Sequence, residues 1–225
     1  MLNRGNDFTS LIMLVLLVLA TAIRASPASP DTSSADYNFL VGTGYVCDPN
    51  DSSACPAVAQ TANGDSIEIS GAGTLNPSSK AVAAMGAFTR KTAKGEIEET
   101  GIWKATELVK FNSYGVAPGA LVRDKRKFKS MGMFPMGFLN GPLPAGGLAL
   151  FRIELLPDVG KPKDAFLQVN CAIGKVPENQ QGDGIRLAVQ GEDLKFDQKV
   201  SGRTLFMIRK PQVNSQVMDA APGKP

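Results

Sequence analysis

The feature that most limits what this chain can fold into is a two-residue period of apolar side chains, repeated in short runs between turn-forming residues. Over Tyr37 to Cys47, the residues Tyr37, Phe39, Val41, Thr43, Tyr45 and Cys47 fall on one side. In 165–171, Ala165, Leu167, Val169 and Cys171 share a face, with Gln168 and Asn170 on the other. In 184–190, Ile185, Leu187 and Val189 alternate with Arg186 and Gln190. That period belongs to a strand with one face on a core and the other toward water. Segments 66–70, 102–111, 148–156 and 203–209 are further strand candidates.

Turn signals separate these runs at short intervals. Asn63-Gly64-Asp65 predicts a type I′ hairpin turn ahead of Ser66, while 157–164 and Gly182-Asp183-Gly184 read as further connections. Many short strands with frequent turns predict an all-β protein, an antiparallel β-sandwich or small β-barrel. One signal competes: Ala-rich Ser78 to Met85 allows one short helix within 76–87. Gly42, Gly44, Gly71, Gly73 and Gly86 recur near or within strand candidates, where glycine marks bulges or sharp curvature. A phosphate loop would need a helix start and a Lys-Ser/Thr pair after such glycines, and neither follows.

Domain organisation follows from the two ends. Arg4 lies in a short polar stretch, Leu11 to Ile23 is an apolar run, and small residues follow at Ala20-Thr21-Ala22 and Arg24-Ala25-Ser26. This is the pattern of a secretory signal peptide, and the run falls short of the ~20 residues a membrane-spanning helix needs. The expected organisation is a signal peptide at 1–25, a disordered linker at 26–36, a single β domain at 37–210 and a disordered tail at 211–225. A secreted or periplasmic protein with no transmembrane span in the mature chain is therefore expected.

Composition narrows the chemistry. The chain has no His, which removes Ser-His-Asp and Cys-His nucleophile systems and His-ligated zinc. No nucleophile-elbow, P-loop or C-x-x-C motif is present, and no cofactor is implied. Cys47 and Cys55 flank a polar loop, an arrangement that favours a disulfide in an exported chain. Cys171 lies on an apolar face and reads as a buried thiol, with pairing to Cys47 left open. Asp48-Pro49-Asn50-Asp51-Ser52 begins like a calcium loop, but Ser53 and Ala59 stand where Gly and Glu are required. Asn50-Asp51-Ser52 is also a glycosylation sequon, relevant in a eukaryotic secretory route.

Net charge is +3, from 24 Lys+Arg and 21 Asp+Glu, too little to imply nucleic acid. The charge is concentrated, however. Arg123, Lys125, Arg126, Lys127 and Lys129 against Asp124 place +4 within seven residues. An apolar, Gly-containing stretch follows, with Phe134 and Phe138. A basic stripe beside an apolar tip suits an anionic membrane, a cell-wall polymer or an acidic protein. Met131, Met133 and Met136 are candidate thioether ligands for Cu(I). Glu96 and Glu98 share a face if 95–100 is a strand, with Glu99 opposite, and are candidate catalytic carboxylates. The expected function is a non-enzymatic exported binding or adhesion module for an anionic surface, a partner or a small apolar ligand. The alternative is a carbohydrate-active or other hydrolase using the strand carboxylates.

Overall fold

The computed structural model describes residues 35–117 and 142–209. The signal-peptide, tail and 121–139 expectations lie outside those residues, as does the linker up to residue 34. The described chain is almost entirely strand: β1 (Tyr37–Val41), β2 (Ala57–Gln60), β3 (Ser66–Asn76), β4 (Ala81–Lys91), β5 (Ile97–Val116), β6 (Leu143–Pro157), β7 (Lys163–Cys171), β8 (Gly184–Val189), β9 (Lys195–Phe196), β10 (Gln198–Ser201) and β11 (Thr204–Ile208). Helical turns among the described residues are confined to three-residue 3₁₀ pieces at Gly44–Val46, Ser52–Ala54 and Glu178–Gln180. The fold is all-β, as the period predicts.

Every ladder is antiparallel, and the ladders close on themselves. β1 pairs with β3 and β11, β3 with β4, β4 with β5, β5 with β6, and β6 with β11. Two of the wall's staves are each built from a pair of short strands laid end to end. β1 and β2 lie along the same edge of β3, at Gly71–Leu75 and Ser66–Ile69 respectively. β11 and β10 continue that arrangement, β11 against β1 and β10 against β2. Toward the β10 end, the hairpin β7–β8 enters beside β6 and widens the ring. There the gap between β8 and β10 is clasped by side chains: Arg186 Nε donates to the Asp197 carbonyl at 2.8 Å, and Lys199 Nζ to the Gly182 carbonyl at 2.9 Å.

The interior is packed with rings. Tyr37 and Phe111 lie 4.7 Å apart, Phe111 and Phe206 5.2 Å, Phe206 and Phe39 5.9 Å, and Phe39 and Phe151 5.1 Å, centroid to centroid. Such tilted and offset contacts are the favoured aromatic geometries. Trp103, Ile67, Ile69, Leu108, Ile153, Leu155, Leu167 and Phe196 are the other large side chains fully buried there. Strand alternation puts them there: the buried apolar positions of β7 are Ala165, Leu167, Val169 and Cys171, the face the sequence predicts.

Glycine makes room for the largest ring. A Cβ at Gly71 would stand 2.5 Å from Trp103 Cζ2, and one at Gly86 would stand 2.7 Å from Trp103 Nε1 and 1.8 Å from the Ser70 carbonyl oxygen. Gly71 and Gly86 are direct cross-strand partners, so the indole lies across a bare patch of wall. Its N–H donates to the Ser70 carbonyl at 3.0 Å, so that burying the ring leaves no orphan donor.

Four expectations need correction. The short helix allowed within 76–87 is instead a turn followed by β4, whose Ala84 and Phe88 face the core while Ala81, Ala83, Met85 and Ala87 face out. Alanine tolerates both conformations, and an eleven-residue ladder with β3 decides the matter. The alternation of 37–47 stops at Val41, because Gly42 takes φ +50° and Gly44 φ +67°, and the chain enters a 3₁₀ turn with Tyr45 exposed. The turn at Asn63-Gly64 is not type I′, since only Gly64 has positive φ there. Gly64 N–H donates to the Thr61 carbonyl and Thr61 N–H to the Asp65 carbonyl, a longer hairpin loop closed by a glycine. Finally, Asn170 is buried and does not face water.

Trp103→Ala is expected to lower the unfolding free energy in urea by about 3–5 kcal/mol, the range for deleting a buried aromatic ring. Gly86→Ala, usually mild in a strand, is expected to cost about 1–3 kcal/mol through overpacking. A Gly86→Ala protein with an unchanged urea midpoint would show that the wall does not depend on this close approach.

Candidate functional site

The binding candidates Arg123, Lys125, Arg126, Lys127, Lys129, Phe134 and Phe138 and the thioethers Met131, Met133 and Met136 all lie outside the described residues. What the fold does define is where that segment is attached. It joins β5 to β6, the two longest strands, and Ala117 N–H donates to the Pro144 carbonyl at 2.9 Å where the chain leaves and returns. The β3–β4 turn and both ends of the described domain lie at the same end of the barrel. Tyr37 of β1 stands between Leu75 of β3 and Ile208 of β11, and Arg209 N–H donates to the Asp36 carbonyl at 2.8 Å.

The carboxylates are distributed differently from the sequence expectation. Glu96 is in the turn before β5 and exposed, its backbone carbonyl accepting from Thr92 N–H. Glu98 is the extra residue where the β4–β5 register shifts, and its carboxylate lies 2.9 Å from Arg90 Nε. The residue the sequence reading passed over is Glu99. By alternation it shares the inward face of β5 with Trp103, and its side chain is only 13% exposed. Arg90 has the inward parity of Phe88 on β4, and Lys163 that of Ala165 on β7. Lys163 Nζ lies 3.0 Å from Glu99 and 3.4 Å from Glu192 in the β8–β9 turn, and Arg90 Nη1 lies 3.9 Å from each. Two cations and two carboxylates thus converge from four elements and cap the packed core. A signal existed in the sequence: charged residues standing on the apolar parity of three separate strands.

A second polar group ties the β7–β8 connection to the opposite end. Tyr114 OH donates to Asn170 Oδ1 at 2.9 Å, and Asn170 Nδ2 donates to the carbonyls of Gln180 and Gly182 at 2.9 and 2.7 Å. Thr204 Oγ1 donates to the Asn170 carbonyl at 2.6 Å, and Asp183 Oδ1 accepts from Ala172 N–H at 2.6 Å. Asn170 thus fastens the β7–β8 connection through the Gln180 and Gly182 carbonyls, and Asp183 holds the Ala172 N–H within it, a fastening arrangement rather than a set of free reactive groups. Burial raises the Asp183 carboxyl above the ordinary carboxylate range, despite N–H donors from Ala172 and Thr204 and the nearby Lys199 and Arg203. Burial also pushes the Cys171 thiol up to about 12, so it stays protonated and unreactive at neutral pH.

Cys47 and Cys55 are bonded, leaving Cys171 free and buried. The loop they close is fixed to the β10–β11 turn: Gly202 N–H and Arg203 N–H donate to the Ser53 and Ala54 carbonyls, both at 2.8 Å. Arg203 Nη2 reaches Asp51 Oδ2 at 2.9 Å, and Asp51 Oδ1 accepts from Ser53. Those contacts, led by the Ser53 hydroxyl, hold the Asp51 carboxyl below its usual range. Within the calcium-like segment, Asp51 is therefore engaged by Ser53 and Arg203, and Asp48 Oδ1 accepts from Asn50 N–H at 2.9 Å. Among the described residues, no three Cys, Asp or Glu side chains converge on a metal position, and no helix is long and apolar enough to cross a membrane. No family model, curated protein or solved structure matches the chain.

A carboxyl whose pKa is raised by folding is favoured there in its neutral form. Its contribution is present below the ordinary carboxylate pKa and is lost as pH rises through the raised value. Asp183→Asn keeps an acceptor for Ala172 N–H and removes the charge. It is expected to be more stable than wild type at pH 7, with the difference shrinking toward pH 3 in paired urea titrations. Loss of stability at pH 7 would mean that the carboxylate's hydrogen bonds outweigh its burial. Native-state thiol labelling should leave Cys171 unmodified, with labelling appearing only in denaturant.

Proposed function

We propose that this chain is an exported, non-enzymatic binding module that adheres to an anionic surface through the basic and apolar segment 121–139. The observation that carries the reading is the separation of charge between the wall and its longest connection. The described residues hold 15 Lys+Arg and 17 Asp+Glu, a net charge of −2. The β5–β6 connection holds +4 within residues 123–129. A rigid acidic scaffold that carries one concentrated basic stretch is suited to electrostatic adhesion, where each Lys or Arg near an anionic surface contributes about 1 kcal/mol. The disulfide and the leader-like N-terminus support an exported setting.

The packed interior favours adhesion over internal carriage of an apolar ligand, because aromatic rings and an ion-paired cap occupy the space such a ligand would need. The ion pairs of Glu98 and Glu99 likewise favour adhesion over carboxylate hydrolysis, since a general acid or nucleophile must reach a substrate.

The test is co-sedimentation of the processed protein with anionic vesicles and with purified cell-wall polymer across a salt series. Wild type should bind at 50 mM salt and lose most binding by 500 mM, because screening is much stronger at the higher ionic strength. Replacing Arg123, Lys125, Arg126, Lys127 and Lys129 together with Gln should reduce low-salt binding at least a hundredfold and leave the urea midpoint unchanged. Salt-independent binding, or binding unaffected by the replacement, would refute the proposal.

A further inference from the structure

Where the core-facing side of β3, β4 and β5 carries Trp103 and Phe88, the outward side carries an uncharged, exposed band. Ala72 of β3 stands opposite Met85 of β4, which stands opposite Lys104 of β5. One row on, Ala87 stands opposite Ile102. Ala83 lies beside Met85 on the same face. Ala72, Ala83, Met85, Ala87 and Ile102 are all exposed, with Met85 at 58% and Ile102 at 45%. In a chain where charged residues are 20% of the total, five adjoining apolar side chains facing water call for a partner.

The charges around the band indicate which partner. Glu68 is paired with Lys91, and Glu107 with Arg152 at 3.6 Å. Lys80, before β4, and Lys104 and Lys110 on β5 are exposed and have no carboxylate within ion-pair distance among the described residues. Glu154 stands across from Lys104 on β6, on the side away from the band. Apolar side chains flanked by free lysines match a surface that is negative at its face and apolar just beneath. An anionic lipid bilayer has both properties, whereas a hydrated polymer offers nothing to Met85 and Ile102.

We infer that the outer face of β3–β4–β5 is a second contact surface, on which the barrel lies against an anionic lipid bilayer with Met85 and Ile102 at the acyl boundary and Lys80, Lys104 and Lys110 at the headgroups. This inference rests on the adhesion reading above and names the surface as lipid.

The experiment uses the processed protein and vesicles of phosphatidylcholine with and without phosphatidylserine. Met85→Ser with Ile102→Ser should weaken binding to the phosphatidylserine vesicles about tenfold at every salt concentration. Lys80→Gln, Lys104→Gln and Lys110→Gln together should weaken it about tenfold at low salt and little at high salt. An environment-sensitive dye attached through Ile102→Cys should shift to the blue when these vesicles are added. All the substituted side chains point away from the core, and circular dichroism should confirm an unchanged fold. If the wall variants bind as wild type does while the connection variant does not, the inference fails and the adhesion reading stands. If wild type binds cell-wall polymer but no vesicle, the lipid assignment fails alone. If wild type binds neither, both fall. If the Met85/Ile102 variant instead converts a dimer to a monomer in sedimentation velocity, a second copy covers the band and the inference is overturned.

Discussion

A sheet closed into a ring must bend, and bending brings the side chains of its concave face toward one another. In this barrel the constraint is met at the crossing of β3, β4 and β5, where the paired Gly71 and Gly86 leave bare backbone and Trp103 lies across it. The rest of the wall follows from this arrangement. With the ring closed there, the remaining aromatic side chains line up down the interior, and their mutual contacts fill it. The short strands β1, β2 and β11 can then serve as half-staves paired along both edges, while β10 pairs with β2 alone and faces the clasped gap to β8.

What could be read from the sequence was the part governed by local parity. Buried Leu167 and Val169, or Ile185 and Leu187, are set by alternation alone, so strand identity and core face were visible without coordinates. Features set by distant chain were not visible. Asn170 looks like a solvent-facing strand residue until the β7–β8 connection folds back over it and supplies the carbonyls of Gln180 and Gly182. Tyr45 continues an apolar alternation on paper, but two glycines at positive φ end the strand before it is reached. The run Ala81–Met85 has no strong preference of its own and takes strand form because β3 offers a complete ladder.

The candidate site divides in the same way. A concentration of positive charge is a property of sequence, and so the basic connection was evident at once. The capping cluster of Arg90, Glu99, Lys163 and Glu192 depends on three hairpins ending together, which no single segment encodes. Read singly, Glu99 was one carboxylate among several. Its inward parity and its two cationic neighbours, Arg90 and Lys163, identify it as part of a closure.

The hydrogen bond between Arg209 and Asp36 joins the two ends of the described domain. A sheet whose first and last strands are neighbours has no intrinsic starting point, because β1 and β11 would remain paired wherever the backbone were opened. The order in which the strands are encoded is therefore separable from the shape they make. A permuted chain, begun at the exposed β6–β7 turn and bridging the old ends with a few residues, would carry the same ring of ladders. It would then present one uninterrupted connection where the two ends of the described domain now lie side by side.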